Sequence, residues 1–238
     1  MTGGDAAAAV PPVAVIVQAR MSSRRLPGKM LREVGGRSLL GWVIERLRPC
    51  RHAGPVIVAT SSDRDDDALA AACAELGVAV FRGPLDDVAG RYLGAAERFG
   101  LDAFVRVTGD SPLIDPALVD AVVALYREGE ADLATNVFPR RFPKGQSLEA
   151  LNAAAFAALQ PDLTDPLDRE HITRFYYAHP GRFRIRALVG AVDCSDEQLS
   201  VDTPEDLARF AAIVAAMTRP HGEYGWAELR ALARDVTS

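Results

Sequence analysis

The sequence predicts a single three-layer α/β/α domain built on a mostly parallel sheet. Runs rich in β-branched residues alternate with stretches whose apolar residues recur at helical spacing, the pattern of strands joined by helical crossovers. A length of 238 residues suits one such domain, with a small excursion, and leaves ample chain to bury a core. The composition, 49% hydrophobic and 25% charged, is that of an ordinary globular protein.

Taken in order, the first strand is expected at Val13 to Gln18. Ser38 is placed to cap a helix that turns Leu39, Leu40, Val43, Ile44 and Leu47 to one side. A strand follows at Pro55 to Thr60. Asp63 is placed to cap the next helix, with Leu69, Cys73 and Leu76 inward, and a third strand covers Val78 to Phe81. Asp86 or Asp87 precedes a helix that uses Val88, Tyr92, Ala95 and Phe99, and Ala103 to Thr108 forms the next strand. Asp115 and Pro116 together start another helix: proline at the first helical position loses no intrahelical bond, and the carboxylate accepts orphan N–H groups. A strand at Asp132 to Asn136 follows.

From Phe138 to Asp202 the alternation is less regular. A strand is expected at Ser147 to Leu151, a helix near Pro166 to Ala178, and strands at Phe183 to Val189 and Gln198 to Val201. This interruption predicts an insertion or lid over about 138–200. Thr203, Pro204 and Asp206 then repeat the helix-start signal. The domain is expected to occupy 13–238, behind a disordered leader at 1–12.

A formal net charge of -5 and a pI near 5.4 argue against broad nucleic-acid binding while allowing a local basic pocket for a phosphorylated ligand. Cys50, Cys73 and Cys194 lie far apart without disulfide or metal spacing, which favours packing roles in a reducing cytoplasm. No run approaches the roughly 20 apolar residues of a membrane span, and the first residues lack a secretory pattern.

Chemistry concentrates after the first strand. Arg20, Arg24, Arg25 and Lys29 follow its carboxyl end, where ligands sit in an open α/β sheet. Ser22, Ser23 and Gly28 let backbone approach a ligand, so the segment reads either as a polyphosphate cradle or as a solvated basic loop. It has neither the G-x-x-x-x-G-K-[ST] nor the G-x-G-x-x-G spacing. Asp110 ends a hydrophobic strand in a Gly-Asp-Ser-Pro turn, placed either to meet a metal-bound phosphate or to satisfy its own turn. Asp202 ends the short strand expected at 198–201, directly before a helix; it either assists the N-cap or, since Thr203 is already placed to cap, keeps its carboxylate for another task. Two hard oxygen ligands from separate strand ends suit Mg²⁺, which keeps waters and takes its other ligands from substrate phosphates.

The segments 17–21 (Val-Gln-Ala-Arg-Met) and 25–29 (Arg-Leu-Pro-Gly-Lys) resemble the signature of the cytidylyltransferases that activate acidic sugars, especially the spore-coat polysaccharide branch. The 3-deoxy-manno-octulosonate and acylneuraminate cytidylyltransferases carry a related pattern. The resemblance continues through Val58 to Ser61, Phe81 to Gly83, Asp87-Val88, Arg91-Tyr92, Arg106 to Asp115, Arg169-Glu170-His171 and Val201 to Leu207, covering nearly the whole chain after residue 12. Ser22 and Arg24 depart from the usual glycine and threonine; the extra arginine either tightens pyrophosphate binding or points to solvent.

The resemblance implies a Rossmann-like nucleotidyltransferase domain with a mixed, mostly parallel sheet and a small lid. It further implies transfer of CMP from CTP to a small acidic sugar, phosphosugar or phosphonate, with release of pyrophosphate. Arg20, Arg25, Lys29 and Asp110 would carry the chemistry, and Asp110 and Asp202 would hold Mg²⁺. CTP would be bound by Gln18, Ala19, Arg20, Arg25, Lys29, Thr60, Ser61, Arg82, Gly83 and Thr108, with the base read by the residues at 60, 61, 82 and 83. Glu149, Arg169 and His171 would line the acceptor, and the segment 144–149 would close over it; His171 is either a general base or a packed or solvated histidine. Arg140, Arg141 and Arg174 are offered to an anionic acceptor on charge alone. Asp87 and Arg91, four apart on a helix, read either as a surface ion pair, the favoured reading, or as direct ligand contacts.

A homodimer is common among the enzymes this chain resembles. Two other classes compete: a glycosyltransferase consuming a nucleotide-sugar, which would want an Asp-x-Asp pair where Gly109-Asp110-Ser111 offers one carboxylate, and a non-catalytic nucleotide-binding module.

Overall fold

The computed structural model describes residues 13–236, so the leader expected at 1–12 lies outside the described residues. In chain order the elements are β1 (Val13–Gln18), a small hairpin of β2 (Glu33–Val34) and β3 (Arg37–Ser38), α1 (Leu39–Leu47), β4 (Ala53–Ser61), α2 (Asp67–Glu75), β5 (Ala79–Gly83), α3 (Val88–Phe99), β6 (Ala103–Thr108), α4 (Pro116–Arg127), β7 (Leu133–Thr135), β8 (Glu149–Asn152), α5 (Ala153–Leu159), α6 (Pro166–Glu170), α7 (Arg174–Ala178), β9 (Ile185–Ala187), α8 (Pro204–Ala216) and α9 (Trp226–Asp235). The main sheet has seven strands in the order β5-β4-β1-β6-β8-β7-β9. Both pairings of β8 are antiparallel and the others are parallel. This is the mostly parallel sheet that the alternation predicts, and β8 makes it the mixed sheet that the resemblance implies.

Side chains on a strand alternate between faces, and β1 makes the two layers visible. Val13, Val15 and Val17 pack with α1, α2, α4, α8 and α9 through residues such as Leu40, Leu69, Val122, Phe210 and Leu229. Ile16 packs on the other face, with Phe104, Tyr92, Phe156 and Tyr176 from β6, α3, α5 and α7. Burying each such side chain contributes about 1.5–3 kcal/mol over leaving it exposed. Among the described residues no helix is long and apolar enough to cross a membrane.

The caps follow the sequence. Ser38 Oγ accepts from Gly41 N at 3.1 Å, Asp87 Oδ1 from Gly90 N at 2.8 Å, and Asp115 Oδ1 from Ala117 N at 2.8 Å. Thr203 and Asp206 form a reciprocal capping box at the start of α8.

Three expectations are corrected. Asp63 does not cap α2: it precedes a 3-10 turn over Arg64–Asp66, and α2 begins at Asp67. The helix expected near 166–178 is broken into α6 and α7, because Ile172 and Thr173 are pulled into the core, where the Thr173 hydroxyl donates to Glu149. Gln198 to Val201 is not a strand. It makes one bridge, Lys144 to Gln198, and its other backbone groups bond to loops, Leu199 N to Lys144 O at 2.7 Å and Val201 N to Asp110 O at 2.8 Å.

Arg46 of α1, fully buried, fastens the C-terminal segment and the loop between β6 and α4 to α1. Its guanidinium donates to Ile114 O (2.6 Å), to Tyr224 O (2.8 Å) and to His221 O. Burial pulls its pKa down to about 10, still charged at neutral pH. Arg46→Met strands three carbonyls, two of them in buried contacts, and is expected to lower stability by about 3 kcal/mol in urea unfolding.

Candidate active site

A cleft of about 900 Å³ opens at the carboxyl ends of β1 and β6. Gln18, Arg106 and Thr108 contribute to its floor; the loop before α3 with the helix's first residue (Leu85, Asp86, Val88) and α6 with its C-cap (Pro166, Glu170, His171) line its sides. The register sets Gln18 level with Ala59 on β4 and Thr108 on β6.

The basic loop runs across this edge and is folded tightly on itself. Gly28 N donates to Met21 O, and Leu26 and Met30 are buried beneath it. Gly28 itself sits at φ 68°, the left-handed region that favours glycine, directly before Lys29. A carboxylate the sequence reading missed anchors the loop: Asp66 Oδ1 accepts from Met21 N at 2.7 Å, while Oδ2 accepts from Ser61 N at 3.0 Å and from the Ser61 hydroxyl. Burial pushes the Asp66 carboxyl up, but these hydrogen bonds outweigh it and hold the group below its ordinary value.

Lys29 lies at the meeting point. Its Nζ donates to Val201 O at 2.9 Å, Asp202 Oδ1 at 3.0 Å and Asp110 Oδ2 at 3.5 Å, and its side chain is only 10% exposed. Arg25 also reaches Asp202 Oδ1, at 3.0 Å. Arg20 meets Glu170 across the cleft at 3.5 Å. Arg24 lines the cleft and pairs with no carboxylate among the described residues.

Asp110 and Asp202 come from distant segments, yet their loops are joined by the Val201 N to Asp110 O bond. Asp206 adds a second brace, with Oδ2 accepting from the backbone N–H groups of Asp202 and Thr203 and from Gln198 Nε2. Both carboxylates remain open to the cleft, 28% and 23% exposed. Among the described residues no group of three or more His, Cys, Asp or Glu is arranged to hold a metal ion. The site thus offers two hard oxygen donors, a set that fits Mg²⁺ completed by water and phosphate.

Other expected residues stand behind the cleft wall. Ser61 is committed to Asp66. Arg82 donates to Ser61 O at 2.9 Å and Asp63 O at 2.8 Å and pairs with Asp67, so it clamps the β4–α2 loop. Gly83 O accepts from Ser62 N, and Thr60 is fully buried. Arg169 forks onto Asp87, Nε to Oδ1 at 3.1 Å and Nη2 to Oδ2 at 2.6 Å. The surface pair of Asp87 with Arg91 is therefore corrected. Arg91 is 1% exposed and donates to Pro84 O and Leu85 O, both at 2.6 Å, holding the loop that rims the cleft.

The segment 144–149 does not close over the cleft either. Gln146 is buried, bridging Asp115 N and Leu113 O, and Lys144 pairs with the 197–199 backbone. Arg140 donates to Ser147, Arg174 to Asp165 and Asp168, and neither these two nor Arg141 lines the cleft.

Glu149 is buried on β8, where Arg106 Nη1 reaches Oε2 at 2.5 Å and the Thr173 and Tyr177 hydroxyls donate to Oε1 at 2.6 and 2.7 Å. It fixes Arg106, which faces the cleft in its place. In the sequence Arg106 is signalled by an arginine inside the apolar strand at 103–108 and by its place at the head of the family-like segment 106–115, though neither gives it a role. Gln18 Oε1 is buried beside it with no partner among the described residues, an acceptor left for a ligand. His171 is exposed at the rim.

A family profile described as Cytidylyltransferase matches residues 14–229. The chain is similar to the spore coat polysaccharide biosynthesis protein SpsF of Bacillus subtilis, 31% identical over 83% of this chain and 84% of the relative. It is also similar to the 3-deoxy-manno-octulosonate cytidylyltransferase of Anaeromyxobacter dehalogenans, at 29% identity over 86% of this chain and 98% of the relative. Among solved structures, a cytidylyltransferase from Leptospira borgpetersenii superposes with a TM-score of 0.88 at 32% identity, covering 94% of each chain.

Proposed function

Given that the chain belongs to the cytidylyltransferase family and is a CTP-dependent nucleotidyltransferase, we propose that it transfers CMP to a small acidic sugar, phosphosugar or phosphonate in polysaccharide biosynthesis, with Mg²⁺ as cofactor. The observation that carries this reading is the convergence of Lys29, Asp110 and Asp202 at the mouth of a cleft rimmed by Arg20, Arg24 and Arg25.

Arg20, Arg25 and Lys29 bind the β- and γ-phosphates and absorb the charge that pyrophosphate carries away. Asp110 and Asp202 would hold Mg²⁺, which supplies neutralisation of the phosphate oxygens. The acceptor oxygen attacks the α-phosphorus in line and its proton leaves toward the α6 side; in this reading His171, which lines the cleft there, takes it. Gln18 and Thr108 contact the nucleotide from the floor, and Ala19 brings backbone close to it. Thr60, Ser61, Arg82 and Gly83 act on the base through the loops they brace. Glu149 acts on the acceptor through Arg106, and Arg169 through Asp87.

Pyrophosphate release, screened with the four nucleoside triphosphates against acidic sugars, phosphosugars and phosphonates, is expected only with CTP and only with divalent metal. Release with another triphosphate in preference to CTP, or from a nucleotide-sugar donor without pyrophosphate, would refute the assignment.

A further inference from the structure

We infer that Lys29 is a placeholder counter-ion for the carboxylate pair, so that the divalent cation enters the site together with the triphosphate and not ahead of it. The inference rests on reading Asp110 and Asp202 as the metal ligands.

An ammonium has three protons, and here each has an acceptor: Val201 O at 2.9 Å, Asp202 Oδ1 at 3.0 Å and Asp110 Oδ2 at 3.5 Å. Arg25 shares Asp202 but its side chain is 65% exposed and can swing into solvent; that of Lys29 is 10% exposed. The backbone at Lys29 is also fixed, between the left-handed Gly28 and the buried Met30. Only the side chain can yield.

A divalent cation arriving alone must take both carboxylates from this ammonium and then sit beside its positive charge, with no anion to accept the displaced protons. A triphosphate removes both obstacles, because its oxygens receive the ammonium and neutralise the cation at once. Binding of metal and of triphosphate is then positively coupled, and by linkage each raises the affinity of the other by the same factor.

Mn²⁺ serves as the probe: without nucleotide its bound fraction is read from the loss of the free-ion electron paramagnetic resonance signal, and with CTP or inorganic tripolyphosphate, which chelate the ion themselves, from the excess Mn²⁺ retained with the protein in equilibrium dialysis. Wild type is expected to bind Mn²⁺ weakly alone and tightly with either polyphosphate. Lys29→Met is expected to bind Mn²⁺ without nucleotide at least about ten-fold more tightly than wild type. Lys29→Arg, which keeps the charge, is expected to stay near wild type. Lys29→Gln supplies the same comparison if the methionine variant melts early. Equal nucleotide-free affinity in wild type and the neutral variants overturns the coupling. If Lys29→Met gains affinity and keeps it after Asp110→Asn and Asp202→Asn are added, the ion lies elsewhere, and the assignment of the carboxylate pair falls with the inference.

Discussion

Replacing Asp110 and Asp202 together with asparagine is expected to lower kcat/KM for CTP-dependent pyrophosphate release by at least about 10³-fold, or about 4 kcal/mol of transition-state stabilisation. The substitution preserves shape but removes the two charges that would hold the cation and face the developing phosphate charge. The surrounding fold does not depend on those charges. The two loops are joined through backbone, Val201 N to Asp110 O at 2.8 Å, and the Asp202 segment is braced by Asp206. Lys29 keeps Val201 O as an acceptor. A melting temperature close to wild type should therefore accompany the loss of activity. Undiminished pyrophosphate release by the double variant, with the acceptor that supports turnover in wild type, would remove the basis of the mechanism.

Glu149→Ala is expected to cost about 3–5 kcal/mol of folding stability, the penalty for leaving a buried charge without its partner. Arg106 loses its 2.5 Å contact, and the Thr173 and Tyr177 hydroxyls lose their common acceptor. The effect has a pH signature. Burial alone would raise the Glu149 carboxyl, but the Arg106 charge and the donors around it outweigh burial and set the group below its ordinary 4.5. Because the folded value lies below the unfolded one, the stability contribution is fully present above about pH 4.5 and is lost as pH falls from there toward the folded value. Urea unfolding should show wild type losing its advantage over Glu149→Ala as the solution is acidified below that point. An unchanged difference between pH 7 and acid would contradict the ion-pair account.

The strands β1 and β6 are legible in the sequence to the residue, because each is an apolar run set off from its neighbours and buried in the middle of the sheet. Helix starts at Ser38, Asp87, Asp115 and Thr203 are legible for a local reason, since a capping side chain and its target N–H lie within a few residues. The cradle and Asp110 could be named from their positions at strand ends, whereas Asp202 was named from a strand at 198–201 that does not form; the structure still brings both carboxylates to Lys29. What stayed hidden were partnerships between distant segments. Asp66 looked like one of several acids in the run 63–67, and only the fold carries it to Met21. Glu149 looked like an acceptor ligand because nothing nearby in sequence reveals that Arg106 comes from the adjoining strand. Arg91, spaced four from Asp87, turned inward to a pair of carbonyls, a choice decided by the loop packed above α3.

The stitching of the mouth has a consequence for how the protein is made. Lys29 meets Val201 across 172 positions of sequence, and Gly145, at φ 94°, must lie flat against Ser200, where a side chain would come within 2.6 Å of its backbone nitrogen. Contacts of such long range close only after the intervening chain has collapsed. During synthesis the cationic arm therefore emerges early and waits for a carboxylate that leaves the ribosome much later, so that competence to handle a triphosphate arrives as one of the last events of folding.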